Sequence, residues 1–193
     1  MIWFSADWHF GHAGILAHQL KRDADFSSVG AMDDAFIDGI NSVVKPVDIL
    51  YFLGDFGWKV SRYGHYRSRL NVRQLHIVRG NHDRPSLSRH CSTFNDMLYR
   101  KFTVLGLDHH VKIHMCHYPI LSWDAMHHGG IHLYGHCHGM NEKNMNKIHP
   151  YRRSMDVGID NIYSLTGEWR PISFGEVFEC FGGPTDERLP GPF

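Results

Sequence analysis

This sequence predicts an α/β fold, and three observations lead there. Short apolar runs with the residue types of β-strands recur along the chain, separated by helical or loop segments. Several of those runs stop abruptly at Gly, Asp, Asn or His, so polar groups are delivered at strand ends, where open α/β sheets place their sites. At 193 residues the chain fits a single domain. A domain of that size buries roughly 70% of the surface its unfolded chain exposes.

The elements follow in order. Residues 2–6 read as a first strand feeding Asp7. Residues 32–44 place Met32, Phe36, Ile37, Ile40, Val43 and Val44 at helical spacing, with Asp33 and Asp34 in an expected first turn where the helix dipole favours acids. Lys45-Pro46 stops that helix. Residues 49–53 and 75–78 read as buried strands delivering Asp55 and Asn81. Further strands are expected over 111–116, leading to His117, over 131–134, leading to His136, and over 154–157, leading to Gly158. Residues 176–181 read as a closing strand. One domain is therefore expected over 1–181, followed by a Gly- and Pro-rich tail, 182–193, expected to be mobile.

Composition excludes several classes. Lys plus Arg and Asp plus Glu both number 20, so no global charge draws the protein to nucleic acid or membrane, and stable nucleic-acid binding is not indicated. No apolar stretch approaches the length of a membrane span, and the N-terminus enters a strand without the features of a signal peptide. The 4 cysteines, Cys91, Cys116, Cys137 and Cys180, lack C-x-x-C spacing, which argues against a zinc ribbon or redox motif. Reduced thiols in a cytoplasmic protein are the expectation.

Histidine, with 17 copies, is the outlier. Five pieces of sequence concentrate it with Asp and Asn: Asp7-Trp8-His9, Gly54-Asp55, Gly80-Asn81-His82-Asp83, His117, and Gly135-His136-Cys137-His138. In an extended backbone residues i and i+2 point the same way, so Asp7 with His9, and His136 with His138, can each converge. Glycine before Asp55, Asn81 and His136 permits a sharp turn at the strand end. Carboxylate, carboxamide and imidazole together suit two close divalent cations, Mn²⁺ foremost, with Fe, Zn²⁺, Ni²⁺ or Co²⁺ as alternatives; a hard all-oxygen Ca²⁺ site does not fit. Each fragment alone has a plain structural reading, as a turn, a surface pair or a helix cap. Five in sequence make a site.

In order and residue type these pieces resemble the calcineurin-like metallophosphoesterase superfamily, whose pattern is D-x-H, G-D, G-N-H-D/E, H and G-H-x-H. The resemblance implies a four-layer αββα sandwich of two mixed sheets flanked by helices, with a binuclear metal centre at one edge. It implies Asp7, His9, Asp55 and His138 on one metal and Asp55, Asn81, His117 and His136 on the other, with Asp55 bridging. The activity implied is metal-dependent hydrolysis of phosphate esters by a metal-bridging hydroxide, with His82 giving a proton to the leaving oxygen and Asp83 orienting His82. Gly54-Asp55-Phe56-Gly57-Trp58 departs from the Ser/Thr protein phosphatases, and the chain is too short for the accessory domains of larger relatives. It is more similar to small single-domain bacterial and phage phosphoesterases, also through Asp156-Val-Gly-Ile-Asp160 and Pro171-Ile-Ser-Phe.

Weaker features surround this set. His12 and Arg84 are candidate substrate contacts. Residues 56–79 carry six cations and no acid, with Trp58, Tyr63 and Tyr66 interleaved; if helical, Arg62, Tyr66, Arg69 and Arg73 share a face that could grip phosphate and stack a base, or could simply be a solvated surface. Cys116 and Cys137 are expected to be packing residues, and 127–130 a flexible loop. The expected substrate is a small phosphate ester or nucleotide, with nucleotide phosphodiesters preferred. The rivals are a general phosphomonoesterase, an inactive scaffold, and a metal-storage protein.

Overall fold

In the computed structural model, which describes residues 1–103 and 110–182, the chain forms an α/β architecture of two mixed sheets with helices. The first sheet has the order β4-β3-β2-β1-β9, with β1 (Ile2–Ser5), β2 (Ile49–Phe52), β3 (Gln74–Val78) and β4 (Thr93–Asn95) parallel and β9 (Ile172–Ser173) antiparallel to β1. The second has the order β5-β6-β7-β8: β5 (Met97–Thr103) pairs antiparallel with β6 (His110–Cys116), and β7 (Ile131–Tyr134) and β8 (Ser154–Asp156) continue in parallel.

Strand alternation divides the core in two. Phe4, Tyr51 and Leu53 face residues of the second sheet such as Ile113, Met115 and Leu133. The helices among the described residues are α1 (Gly14–His18), α2 (Leu20–Asp25), α3 (Val29–Val43), α4 (Tyr63–Arg69), α5 (Glu142–Ile148), α6 (Ile159–Thr166) and α7 (Phe174–Cys180). Trp3, Leu50, Phe52, Leu75 and Ile77 point the other way, onto α3 and α4. α3 buries Met32, Phe36, Ile37 and Ile40, as its periodicity predicts. It starts earlier than expected, because Ser28 caps it by accepting from Ala31 N–H. Asp33 therefore lies beyond the first turn and has a tertiary role, accepting from Gly11 N–H and Tyr66 O–H.

The closing segment also differs from expectation. Phe174–Cys180 is a helix, α7, opened by a capping box in which Ser173 and Glu176 satisfy each other's backbone N–H groups. Val177 and Phe178 of α7 extend the core between the sheets. Met126–His128 forms a 3₁₀ turn within the expected loop. Of the proposed tail, 183–193 lies outside the described residues. No helix among the described residues is long and apolar enough to cross a membrane.

The carboxyl ends of the two sheets are tied together. Ala6, just past β1, bridges Gly158, just past β8, and Ile159 N–H donates to Ala6 O at 3.0 Å. That join brings the segments after β1 and β7 face to face, with His136 N–H 2.9 Å from Asp7 Oδ2.

Candidate metal centre

Every fragment singled out in the sequence follows a strand: Asp7 after β1, Asp55 after β2, Asn81 and His82 after β3, His117 after β6, His136 and His138 after β7. The backbone there is not extended. Among the described residues six non-glycine positions have positive φ, and five are Asp7 (60°), His9 (51°), Asp55 (61°), His136 (69°) and His138 (50°). Asp7 and His9 thus converge through left-handed turns rather than through strand alternation, whereas His136 and His138 are dealt to different donor sets. Each such residue costs about 1–2 kcal/mol relative to right-handed backbone, and strain of this kind persists where surrounding structure over-determines it.

Glycines make the turns possible. Gly54 has φ of 100°, and a Cβ there would meet His117 Nδ1 at 2.5 Å; a Cβ on Gly80 would meet Asp55 Oδ1 at 2.2 Å. Trp8, between Asp7 and His9, turns into the core against Phe10, Phe52 and Phe56.

Two sets of donor atoms result. Those of Asp7, His9 and His138 lie within 4.8 Å of one another, as do those of Asp55, His117 and His136. Asp55 Oδ2 connects them, 3.6 Å from His9 Nε2 and 3.5 Å from His117 Nε2. Asn81 Oδ1 joins the second set, 2.9 Å from His117 Nε2 and 3.0 Å from His136 Nδ1. His9 Nε2 is buried without a hydrogen-bond partner. A buried polar atom left this way calls for an explanation, and a cation in the first set would supply one. The donor set fits borderline divalent ions.

The histidines are held from behind. His117 Nδ1 donates to Leu53 O at 2.7 Å, leaving Nε2 to face the centre. His138 Nδ1 lies 2.6 Å from Asp160 Oδ2, the carboxylate backing typical of ligating histidines. Asp160 is itself gripped by Arg22, whose fully buried guanidinium also donates to the carbonyl oxygens of Asp7 and Trp8. Sequence reasoning missed this Arg22–Asp160 pair. It gave no role to Asp156, whose Oδ1 and Oδ2 accept from Gly158 and Gly139 N–H.

Charge at the centre is strongly redistributed. Burial raises the Asp55 carboxyl, but the hydrogen bond and charge of His117, with help from His9 and the His82 N–H, outweigh it and hold it at about 2. Burial lowers His117, yet Asp55 and Asp7 pull it up to about 9. His9 is pushed well down by burial, and burial raises Asp7. Asp156 rises to about 7, through burial and the neighbouring Asp7.

The other expected site residues take mixed positions. His82 stands at the surface of the centre, its Nε2 4.0 Å from Asp55 Oδ2 and its backbone N–H donating to Asp55 Oδ1. Asp83 turns away from the proposed role of orienting His82. Its carboxylate accepts three backbone N–H groups, from Asp55, Phe56 and Gly80, each at 2.9 Å. Three donors consume most of a carboxylate's capacity, so Asp83 locks the loops carrying Asp55 and Asn81 together. His12 stacks on Trp58 with ring centroids 3.8 Å apart and lies beside His9 and His82. Arg84 is exposed; its backbone N–H donates to Tyr63 O–H. Within the basic stretch, Arg67 caps the carbonyls of Leu70, Val72 and His90, Arg69 pairs with Asp34, Arg79 pairs with Asp96, and Arg73 lies beyond α4. Of the four residues expected on one face, Arg62 lies over the Tyr66 ring at 5.6 Å, while Arg69 turns to Asp34 and Arg73 follows the helix end. Cys116 is buried and Cys137 half-buried, as packing residues.

Over 174 residues, 89% of this chain and 86% of the relative, the sequence is 30% identical to the uncharacterized protein MJ1445 of Methanocaldococcus jannaschii. The chain belongs to the MJ1445 family. No protein-family model matches it. Among solved structures it resembles the protein of unknown function AQ665 from Aquifex aeolicus, with a TM-score of 0.69, 22% identity, and coverage of 93% of this chain and 98% of that one. At that identity the likeness supports the fold of this MJ1445-family chain and nothing further.

Proposed function

We propose that this protein is a two-metal hydrolase of phosphate esters, similar to the calcineurin-like metallophosphoesterases, with phosphodiesters of nucleotides preferred. One observation carries the reading: Asp55 Oδ2, which belongs to the second donor set, stands between the two, 3.5 Å from His117 of its own set and 3.6 Å from His9 of the other. Asp7, His9, Asp55 and His138 would hold one cation, and Asp55, Asn81, His117 and His136 the other. The layers are read as αββα, with the centre at the edge where the parallel strands end.

Two such cations supply a water acidified toward neutrality and a clamp for phosphate oxygens. The chain's own residues do the rest. Asp55, held ionised at about 2, keeps its shared oxygen available throughout the neutral range. Asp160 and the Leu53 carbonyl fix His138 and His117 in the tautomers that turn Nε2 inward. His82, exposed beside Asp55, holds a proton at its ring for the leaving oxygen. Asp83 keeps the Asp55 and Asn81 loops in register.

The diester preference rests on the aromatic that the basic stretch presents beside the site, Trp58, exposed next to His82. The test is hydrolysis of bis-p-nitrophenyl phosphate with added Mn²⁺, wild type beside Asp55→Asn. Manganese-dependent turnover abolished by the substitution is expected. A folded, metal-loaded wild type inactive on both this diester and p-nitrophenyl phosphate would refute the proposal.

A further inference from the structure

Of the aromatics interleaved in the basic stretch, Tyr63 and Tyr66 are core residues, whereas Trp58 is 47% exposed. A single exposed aromatic is ordinary on a protein surface, and Trp58 is set apart by where it stands, beside His12 and His82. It is also held rigidly. Phe10 N–H donates to Phe56 O at 3.1 Å, Trp58 N–H donates to Phe10 O at 2.9 Å, and Phe10 bridges Gly57, so the backbone that leads into the indole is anchored. The His12 ring covers one face at 3.8 Å and 4° from parallel. The indole lies 5.3 Å from the His82 ring, and His82 Nε2 lies 4.0 Å from Asp55 Oδ2. Trp58 is therefore one ring away from the group read above as the proton donor to the leaving oxygen.

Tyr118, the other exposed aromatic nearby, contacts His117 and His136 of the second donor set instead. The two rings mark different sides of the centre.

We propose that Trp58 is the platform on which a flat ring of the substrate lies, so that the site selects nucleoside phosphate esters, with the base stacked on the indole beside His82. This rests on the phosphoester reading above. A fixed indole stacks any base, because every base has a π-face, and it loses little freedom in doing so. His12 acts through the indole as a positioning residue.

The test compares adenosine 5′-monophosphate with ribose 5-phosphate, two probes that share the phosphate and sugar and differ in the base. Binding to the Mn²⁺-loaded protein is measured by titration calorimetry for wild type, Trp58→Ala, Trp58→Phe and Tyr118→Ala. Wild type is expected to bind the nucleotide on the order of tenfold more tightly than the sugar phosphate. Trp58→Ala should erase that ratio with the ribose 5-phosphate affinity unchanged; Trp58→Phe should retain most of it, and Tyr118→Ala should leave it alone. A wild type with no preference for the nucleotide, equal weakening of both ligands by Trp58→Ala, or loss of the ratio through Tyr118→Ala would each overturn the platform while leaving the phosphoester reading in place. A metal-loaded wild type that binds neither probe would overturn the platform, and the phosphoester reading is then decided by the bis-p-nitrophenyl phosphate and p-nitrophenyl phosphate assays above.

Discussion

Arg22→Met removes the charge that the scaffold of the candidate metal centre is built around while keeping an unbranched side chain. In the native fold the guanidinium is fully buried, with Nε 2.7 Å from Asp160 Oδ1 and Nη2 2.6 Å from both Asp160 Oδ2 and Asp7 O. Its removal leaves the Asp160 carboxylate, 4% exposed, without its principal counter-charge. Breaking a buried pair in this way costs about 3–5 kcal/mol. With a urea slope of about 2 kcal/mol per molar, the unfolding midpoint should fall by about 2 M. Native stabilities of about 5–15 kcal/mol leave a folded population to study. The double variant Arg22→Met/Asp160→Leu removes both charges and should recover most of the stability. It should not recover metal affinity, because His138 has lost its carboxylate. Urea unfolding followed by circular dichroism, paired with calorimetric Mn²⁺ titration, separates the two effects. A single-variant loss below about 1 kcal/mol, or a double variant no more stable than the single, would refute the reasoning.

Other outcomes follow from the same geometry. Asp160→Asn should weaken Mn²⁺ binding about 10–100-fold by removing the partner of His138 Nδ1, as read by calorimetry. Metal uptake must displace the proton that His117, raised to about 9, carries at neutral pH, so apparent affinity should rise with pH up to about 9 and flatten above it. Proton release measured in buffers of differing ionisation enthalpy checks this; a flat profile between pH 6 and 8 contradicts it. Burial depresses buried His132 to about 4, so the unfolded chain binds a proton that the folded one refuses between about 6.5 and 4. Stability is then complete above that window and falls by about 3 kcal/mol through it on acidification, and His132→Gln should flatten this part of the Tm–pH curve. Asp83→Ala leaves three backbone donors unpaired and should cost several kcal/mol, each orphaned N–H contributing about 1–3, with destabilisation in thermal melts even in the absence of metal.

Residue type and local pattern were enough to pick out the side chains that the fold gathers into two donor sets. Asp7, Asp55, Asn81, His117 and His136 each terminate an apolar run, and such runs declare themselves as strands through their own composition. The closing helix is misread as a strand, because a six-residue run with apolar residues at 177, 178, 180 and 181 fits helix and strand patterns almost equally, and Ser173-x-x-Glu176 is the capping signal that separates them. Tertiary structure alone decided which groups support the site. Arg22 meets Asp160 across 138 positions of sequence, and no local pattern encodes a partner at that distance. Asp83 stands next to His82 in sequence yet bonds to backbone N–H groups, because the left-handed turn at Asp55 aims them at it. Tyr66 and Trp58 are interleaved alike in one basic stretch, and only packing against Asp33 and Phe10 buries the first while the second stays open. Local sequence chooses the chemistry offered at each strand end; the convergence of chain ends far apart in sequence decides what that chemistry faces.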